Sequence, residues 1–138
     1  EIIWNYEPGM ALSTIDQAEA KRTRGRIYAS MCSFFESHDL LVTPTVMTPP
    51  FPAEIRYLEE VQGVKFDNYV EWLMHTFVIT PTGCPAVSVP CGFTKDGLPV
   101  GLQLIAPPRG EAALLSAAAA FEAHCSLEWQ TPIDPRVK

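Results

Sequence analysis

Apolar residues recur at helical spacing through Ala20, Ile27, Met31, Phe34 and Phe35. The pattern predicts a helix over residues 14 to about 37, its buried stripe formed by those five side chains. Ser13 precedes it as N-cap, and Asp16 completes a capping-box arrangement. Leu40, Leu41, Val42 and Thr43 then form a continuous apolar run, which predicts a strand buried on both faces. Pro44 ends it. Pro49, Pro50 and Pro52 exclude helix and sheet interior from residues 45–53, which read as an ordered loop. A second helix is expected from a cap at Asp67 to about His75, with Tyr69, Val70, Leu73, Met74 and Phe77 on its apolar side.

The second half of the chain is more strand-like. Residues 79–85 hold two prolines and Gly83 and read as a shaped turn. Residues 86–90 form a short strand. Residues 91–105 follow as a hairpin that turns at Lys95-Asp96-Gly97, because Asp-Gly is a strong turn signal. Gly101 in the return strand suggests a bulge or a close backbone approach. A last helix runs from Glu111 to about His124, with Leu114, Leu115, Ala118 and Phe121 facing inward. Pro132 and Pro135 predict an irregular tail.

This order predicts an α/β fold of mixed-sheet strands covered by helices, with residues 1–138 as one unit. The apolar strands read as central rather than edge. A sheet of so few strands would leave backbone edges open. We therefore expect a missing portion of the sheet, with a homodimer that covers the edges as the alternative.

Composition narrows the partners. A net charge of −6 without a basic face gives no support for a nucleic-acid role. The basic group Lys21, Arg22, Arg24 and Arg26 reads as a solvated helix face. No apolar run approaches the ~18 residues of a membrane span, and no secretory leader is recognisable at the start. Cys32, Cys84, Cys91 and Cys125 match neither zinc nor CxxC spacing, so free thiols and a cytoplasmic location are expected.

Catalytic constellations are weak. No GxSxG elbow, phosphate loop, HExxH or nucleotide fingerprint occurs. Ser88 and Ser116 read as structural. His38 and His124 suit helix C-termini, where a cation meets the negative end of the dipole. His75, beside the 76–83 turn, is the histidine best placed to meet a substrate. Cys84 is the best reactive thiol by position, but nothing near it in sequence would lower its pKa.

Two segments break this pattern of ordinary residues. They are Gly83-Cys84-Pro85-Ala86-Val87-Ser88-Val89-Pro90-Cys91-Gly92-Phe93 and Asp96-Gly97-Leu98-Pro99-Val100-Gly101-Leu102-Gln103-Leu104-Ile105. Together they resemble the C-terminal signature of the amidase signature family. There a "G-x-P-A-x-S-x-P-x-G" strand precedes "G-L-P-x-G-L-Q" and a helix ending in Ala-Phe-Glu, here Ala120-Phe121-Glu122. Asp39-Leu40-Leu41-Val42-Thr43-Pro44-Thr45 is similar to the family's "D-x-L-L-x-P-T" strand. The preceding helix, with Arg22 and Arg26, is also similar. The resemblance spans nearly the whole chain and is weakest between Pro52 and Val70.

The resemblance implies a hydrolase that cleaves carboxamide C–N bonds with a Ser–cis-Ser–Lys triad, without metal or organic cofactor. Those serines and that lysine belong to the family's N-terminal part. Lys21, Lys65, Lys95 and Lys138 lie outside the expected context, so no catalytic residue carries over. The chain is expected to be inactive alone, with the N-terminal part of the same enzyme as its partner. It would supply scaffold and part of the wall facing a small-molecule amide. Thr45, Trp72, His75, Phe77, Thr80 and Thr82 are the wall candidates. Thr80 stands where family members often carry Asn. Trp72, Met74, Phe77, Val78 and Ile79 would favour an apolar or aromatic amide, though the same residues would serve equally as core. The rival reading is a non-catalytic binding or assembly module, including a subunit-like role in an amidotransferase complex.

Overall fold

A computed structural model describes residues 2–125. Helix α1 (Ile2–Ala11) comes first and carries Pro8 inside it. No periodic signal in the sequence pointed to it. Helix α2 (Thr14–Phe34) follows, and its start is the capping box expected from Ser13 and Asp16. The Asp16 amide donates to Ser13 Oγ at 3.2 Å, and the Ser13 amide donates to Asp16 Oδ2 at 2.8 Å. Both atoms thereby satisfy amides that a helix start leaves orphaned. These bonds hold the Asp16 carboxyl below its ordinary range, the hydroxyl contact being the largest cause.

The stripe expected on α2 is not buried. Met31, Phe34 and Phe35 are half-buried, whereas Ala20 and Ile27 are exposed. Nothing among the described residues lies over the first half of this face. The helix also ends at Phe34, before the expected Ser37, with the Phe35 amide bonded back to Met31 and Ser33 carbonyls.

The main sheet has three strands: β1 (Leu41–Pro44), β4 (Ala86–Phe93) and β5 (Pro99–Ile105), in the order β1-β5-β4. Both pairings are antiparallel. Thus β5 is central and β1 lies outside it, a correction to the reading of residues 40–43 as a central strand. β1 alternates in burial, and Val42 is 49% exposed, so it is not covered on both faces. The apolar run misled because Val42 and Leu104 share a face that α5 covers over β4 rather than over β1.

The hairpin turns where Asp-Gly predicted. Gly97 takes φ +79°, and the Thr94 amide donates to the Leu98 carbonyl at 2.8 Å. The bulge falls in β4 between Pro90 and Gly92, while Gly101 is a site of close approach instead. A small ribbon, β2 (Glu60–Val61) with β3 (Val64–Lys65), was not foreseen. Gln62 and Gly63 both take positive φ there, as a tight two-residue hairpin loop requires.

The second helix is broken into α3 (Tyr69–Trp72) and α4 (Met74–Phe77). Its cap is Asn68, not Asp67. Asn68 Oδ1 accepts from the Val70 and Glu71 amides at 3.0 Å each, and Asp67 contributes only a backbone amide to Glu71. A short 3₁₀ turn (Thr80–Thr82) ends at Gly83 with φ +71°.

Helix α5 (Glu111–Cys125) closes one face of the sheet. Strand alternation sends Val87, Val89, Leu102 and Leu104 to that face, where Leu114, Ala118 and Phe121 meet them. Leu114 and Leu104 are each 3% exposed, and full burial of such a side chain contributes roughly 1.5–3 kcal/mol. Leu115 is 62% exposed, so it does not face inward as expected. It lies one residue beyond Leu114, about 100° around the helix. The tail with Pro132 and Pro135 lies outside the described residues.

Candidate functional site

The same alternation sends Thr43, Gln103, Ser88 and Gly101 to the sheet face away from α5. That face is polar at its β1 end. Gln103 Nε2 donates to Thr43 Oγ1 at 3.1 Å. Thr45 continues the edge of β1, its amide donating to the Gly101 carbonyl at 3.1 Å. Thr45 Oγ1 and Ser88 Oγ lie 2.7 Å apart. They meet above Gly101, where a Cβ would come within 2.8 Å of Thr45 Oγ1 and 3.2 Å of Ser88 Oγ. Only glycine leaves room for the two hydroxyls.

Beyond Thr45 the chain folds back beside the start of β5. Val46, Met47, Thr48 and Pro49 face Pro99, Val100 and Gly101 across a cleft of about 180 Å³. Its lining is mainly apolar. Thr48 Oγ1 is buried there with no hydrogen-bond partner.

His75 ties α4 to this region. Its Nε2 lies 2.6 Å from the Pro44 carbonyl oxygen. A carbonyl only accepts, so Nε2 carries the proton and donates. The contact fixes the end of β1, one residue before Thr45. Trp72 is half-buried among Phe51 and Tyr69, with ring centroids 5.6 and 5.8 Å away. Its Nε1 is buried without a partner. Phe77 and Thr80 are exposed. Thr82 is 4% exposed, and its hydroxyl is occupied. It donates to the Ile79 carbonyl at 2.5 Å and accepts from the Cys84 amide at 3.2 Å, locking the turn.

That turn packs against α2. Tyr28 of α2 covers Gly83, where a Cβ would sit 3.4 Å from the ring. The Tyr28 phenol is raised above its ordinary pKa, chiefly by its hydrogen bond with Cys32, and Arg109 opposes the shift. Of the six wall candidates, then, Thr45 and His75 are brought together through Pro44, with Trp72 one turn from His75. Thr80 and Thr82 belong to the turn packed on α2. The close approach at Gly101 was expected from the sequence, but its pairing of Thr45 with Ser88 was not. The register Ser88↔Gln103 and Pro90↔Gly101 was the signal, but it appears only once the strands are paired.

Nucleophilic chemistry finds no support among these side chains. Ser37 Oγ lies 3.0 Å from His38 Nδ1, which on distance alone looks like an activated serine. The same Nδ1 lies 3.0 Å from the Phe34 carbonyl oxygen, which can only accept. Nδ1 is therefore protonated and cannot take the Ser37 proton. His38 stacks on Phe34 and caps the end of α2, the structural role expected of it. Ser116 Oγ donates to the Ala112 carbonyl at 2.9 Å, also a structural bond. Among the described residues, no group of three His, Cys, Asp or Glu is placed to hold a metal ion. No described helix is long and apolar enough to cross a membrane.

A sheet closed by a helix on one face and lined by hydroxyls on the other defines an α/β scaffold with a small apolar cleft at one strand end. The chain belongs to the Amidase family, whose profile matches residues 2–115. It is 35% identical over 113 residues to an acylamidase of Rhodococcus erythropolis, covering 81% of this chain and 24% of that protein. It is 45% identical over 104 residues to a glutamyl-tRNA(Gln) amidotransferase subunit of Moorella thermoacetica, covering 75% and 20%. A bacterial aryl acylamidase of the amidase signature family superposes with a TM-score of 0.73 at 24% identity, over 96% of this chain and 29% of that one, and establishes the shared fold. The corresponding glutamyl-tRNA(Gln) amidotransferase subunit of Thermotoga maritima superposes with a TM-score of 0.69 at 27% identity, over 99% and 29%. The chain thus spans about a quarter or less of the length of its curated relatives.

Proposed function

We propose that the chain acts as the C-terminal portion of an amidase signature hydrolase that cleaves carboxamide C–N bonds in the cytoplasm. It contributes three strands, their covering helix and part of the substrate wall. A serine nucleophile in the N-terminal part of the enzyme, activated through a second serine by a neutral lysine, performs the chemistry, and backbone amides hold the oxyanion. The observation that carries this reading is the polar sheet end over Gly101, set beside an apolar cleft, with no activated nucleophile there among the described residues. Such an arrangement shapes a ligand and performs no bond cleavage by itself. Thr45 and His75 belong to the wall by position, and Trp72 brings an aromatic face beside them.

A role within an amidotransferase complex is the second reading, favoured by the identity to the Moorella protein. The stretch from Trp72 to Thr82 holds no carboxylate that would receive a substrate ammonium group, which weighs for the hydrolase. The test is direct. The purified chain, incubated with simple anilides and esters, shows no turnover above background. Turnover by the chain alone would overturn the division of labour proposed here.

A further inference from the structure

We propose that the apolar side of α1 is an interaction surface, and that its partner is an apolar patch on the N-terminal part of the same polypeptide rather than a second copy of the enzyme. This rests on the proposed reading of the chain as a C-terminal portion. Ile3, Tyr6 and Met10 recur at i, i+3 and i+7, which sets them along one side of the helix. They are 71%, 63% and 70% exposed. Leu12 and Ile15, just beyond, are 54% and 72% exposed. Every described residue from Tyr6 to Arg22 is exposed, so the first half of α2 offers α1 no cover.

Such a helix does not hold itself together. Its 10 residues fall short of the ~12–15 at which an isolated helix is even marginal in water. Pro8 and Gly9 lie inside it, and these are the two residue types least suited to a helix interior. Pro8 has no amide to return a bond to the preceding turn. Packing of the apolar side must therefore supply what the backbone does not. Two observations favour the same polypeptide as the source. The family profile begins at residue 2, where α1 begins, so α1 belongs to the shared fold and is not an appendage. The spans that superpose on the aryl acylamidase and on the Thermotoga subunit take in 96% and 99% of this chain, but only 29% of either protein. Most of each relative's chain is thus available to lie against the segments they share. A contact between copies would be particular to one assembly and would give no reason for α1 to recur in both.

The test uses the intact enzyme with the photo-cross-linker p-benzoylphenylalanine in place of Tyr6, an aromatic exchange that keeps the stripe apolar. Equal amounts of light and nitrogen-15-labelled enzyme are mixed, irradiated and mapped by peptide mass spectrometry. The expected product joins the α1 peptide to a peptide outside these 138 residues, with both halves carrying the same isotope. Mixed-isotope products, which join two copies, overturn the inference and leave the C-terminal-portion reading intact. So does a cross-link confined to these 138 residues, or none at all. An intact mass that shows no residues ahead of Glu1 in the native protein overturns both. Met10→Glu gives a second readout without the probe. It lowers the unfolding temperature of the intact enzyme by several degrees and leaves its oligomeric state unchanged. An unchanged unfolding temperature, or dissociation of an oligomer, overturns the inference.

Discussion

Replacing Gly101 with alanine is the sharpest test of the sheet geometry. Gly101 does not occupy a positive-φ region, so its backbone accepts alanine without strain. On that ground alone the change would stabilise the protein by about 0.4–1 kcal/mol through the unfolded chain. Contacts oppose it. The new Cβ would lie 2.8 Å from Thr45 Oγ1 and 3.2 Å from both Thr45 Cβ and Ser88 Oγ. Thr45 cannot swing away freely. It is β-branched, and its amide is bonded to the Gly101 carbonyl itself. Overpacking of this kind costs about 1–3 kcal/mol. Displacing Thr45 also breaks its bond to Ser88, worth about 1 kcal/mol. The net cost is about 2 kcal/mol, roughly a 30-fold fall in the folded-to-unfolded ratio. Urea denaturation of Gly101→Ala, Thr45→Ala and the double variant reads it out. Thr45→Ala removes the hydroxyl that the Cβ meets, so the cost of Gly101→Ala falls in that background. Gly25→Ala is the control, since nothing lies within 4 Å of the added Cβ and the helix gains about 0.5–1 kcal/mol. A neutral Gly101→Ala, or an equal cost with and without Thr45, would refute the close approach.

Other consequences follow from neighbouring elements. Leu114→Ala costs about 2–5 kcal/mol in thermal or urea unfolding because its side chain fills the core, whereas Leu115→Ala stays within about 0.5 kcal/mol. Asn68→Ala costs about 1 kcal/mol by removing the acceptor for two helix-start amides, and Asp67→Ala leaves stability nearly unchanged. The Asp16 carboxyl is held below its usual range by Ser13, so its stabilisation of α2 is present above the unfolded pKa and lost as pH falls through the lower folded one. Far-UV circular dichroism on acidification should show that step in the wild type and a smaller one in Ser13→Ala.

Local chemistry was legible in the sequence, and burial was not. The capping box at Ser13, the Asp-Gly turn and the extent of α5 are set by residues close in sequence, and each formed as expected. Val42, Ile27 and Leu115 were misread because their exposure depends on which element lies across from them. An apolar run identifies a strand but not its neighbours in the sheet. Asp67 and Asn68 are both good caps, and only the backbone path selects Asn68. For the candidate site, Thr45 could be named from the family motif and His75 from its place beside the 76–83 turn. Their connection through the Pro44 carbonyl crosses 31 positions between His75 and Pro44 and needs the folded chain. The partnership of Thr45 with Ser88 over Gly101 depends on strand register, which no short window encodes.

The central claim is that this chain shapes the site while the nucleophile lies elsewhere in the enzyme. Labelling the intact, active enzyme with a fluorophosphonate and mapping the adduct by peptide mass spectrometry tests it most directly. The account predicts a single modified serine outside these 138 residues and parallel loss of amide hydrolysis. An adduct on Ser37, Ser88 or any other serine of this chain, formed in step with the loss of activity, would contradict it.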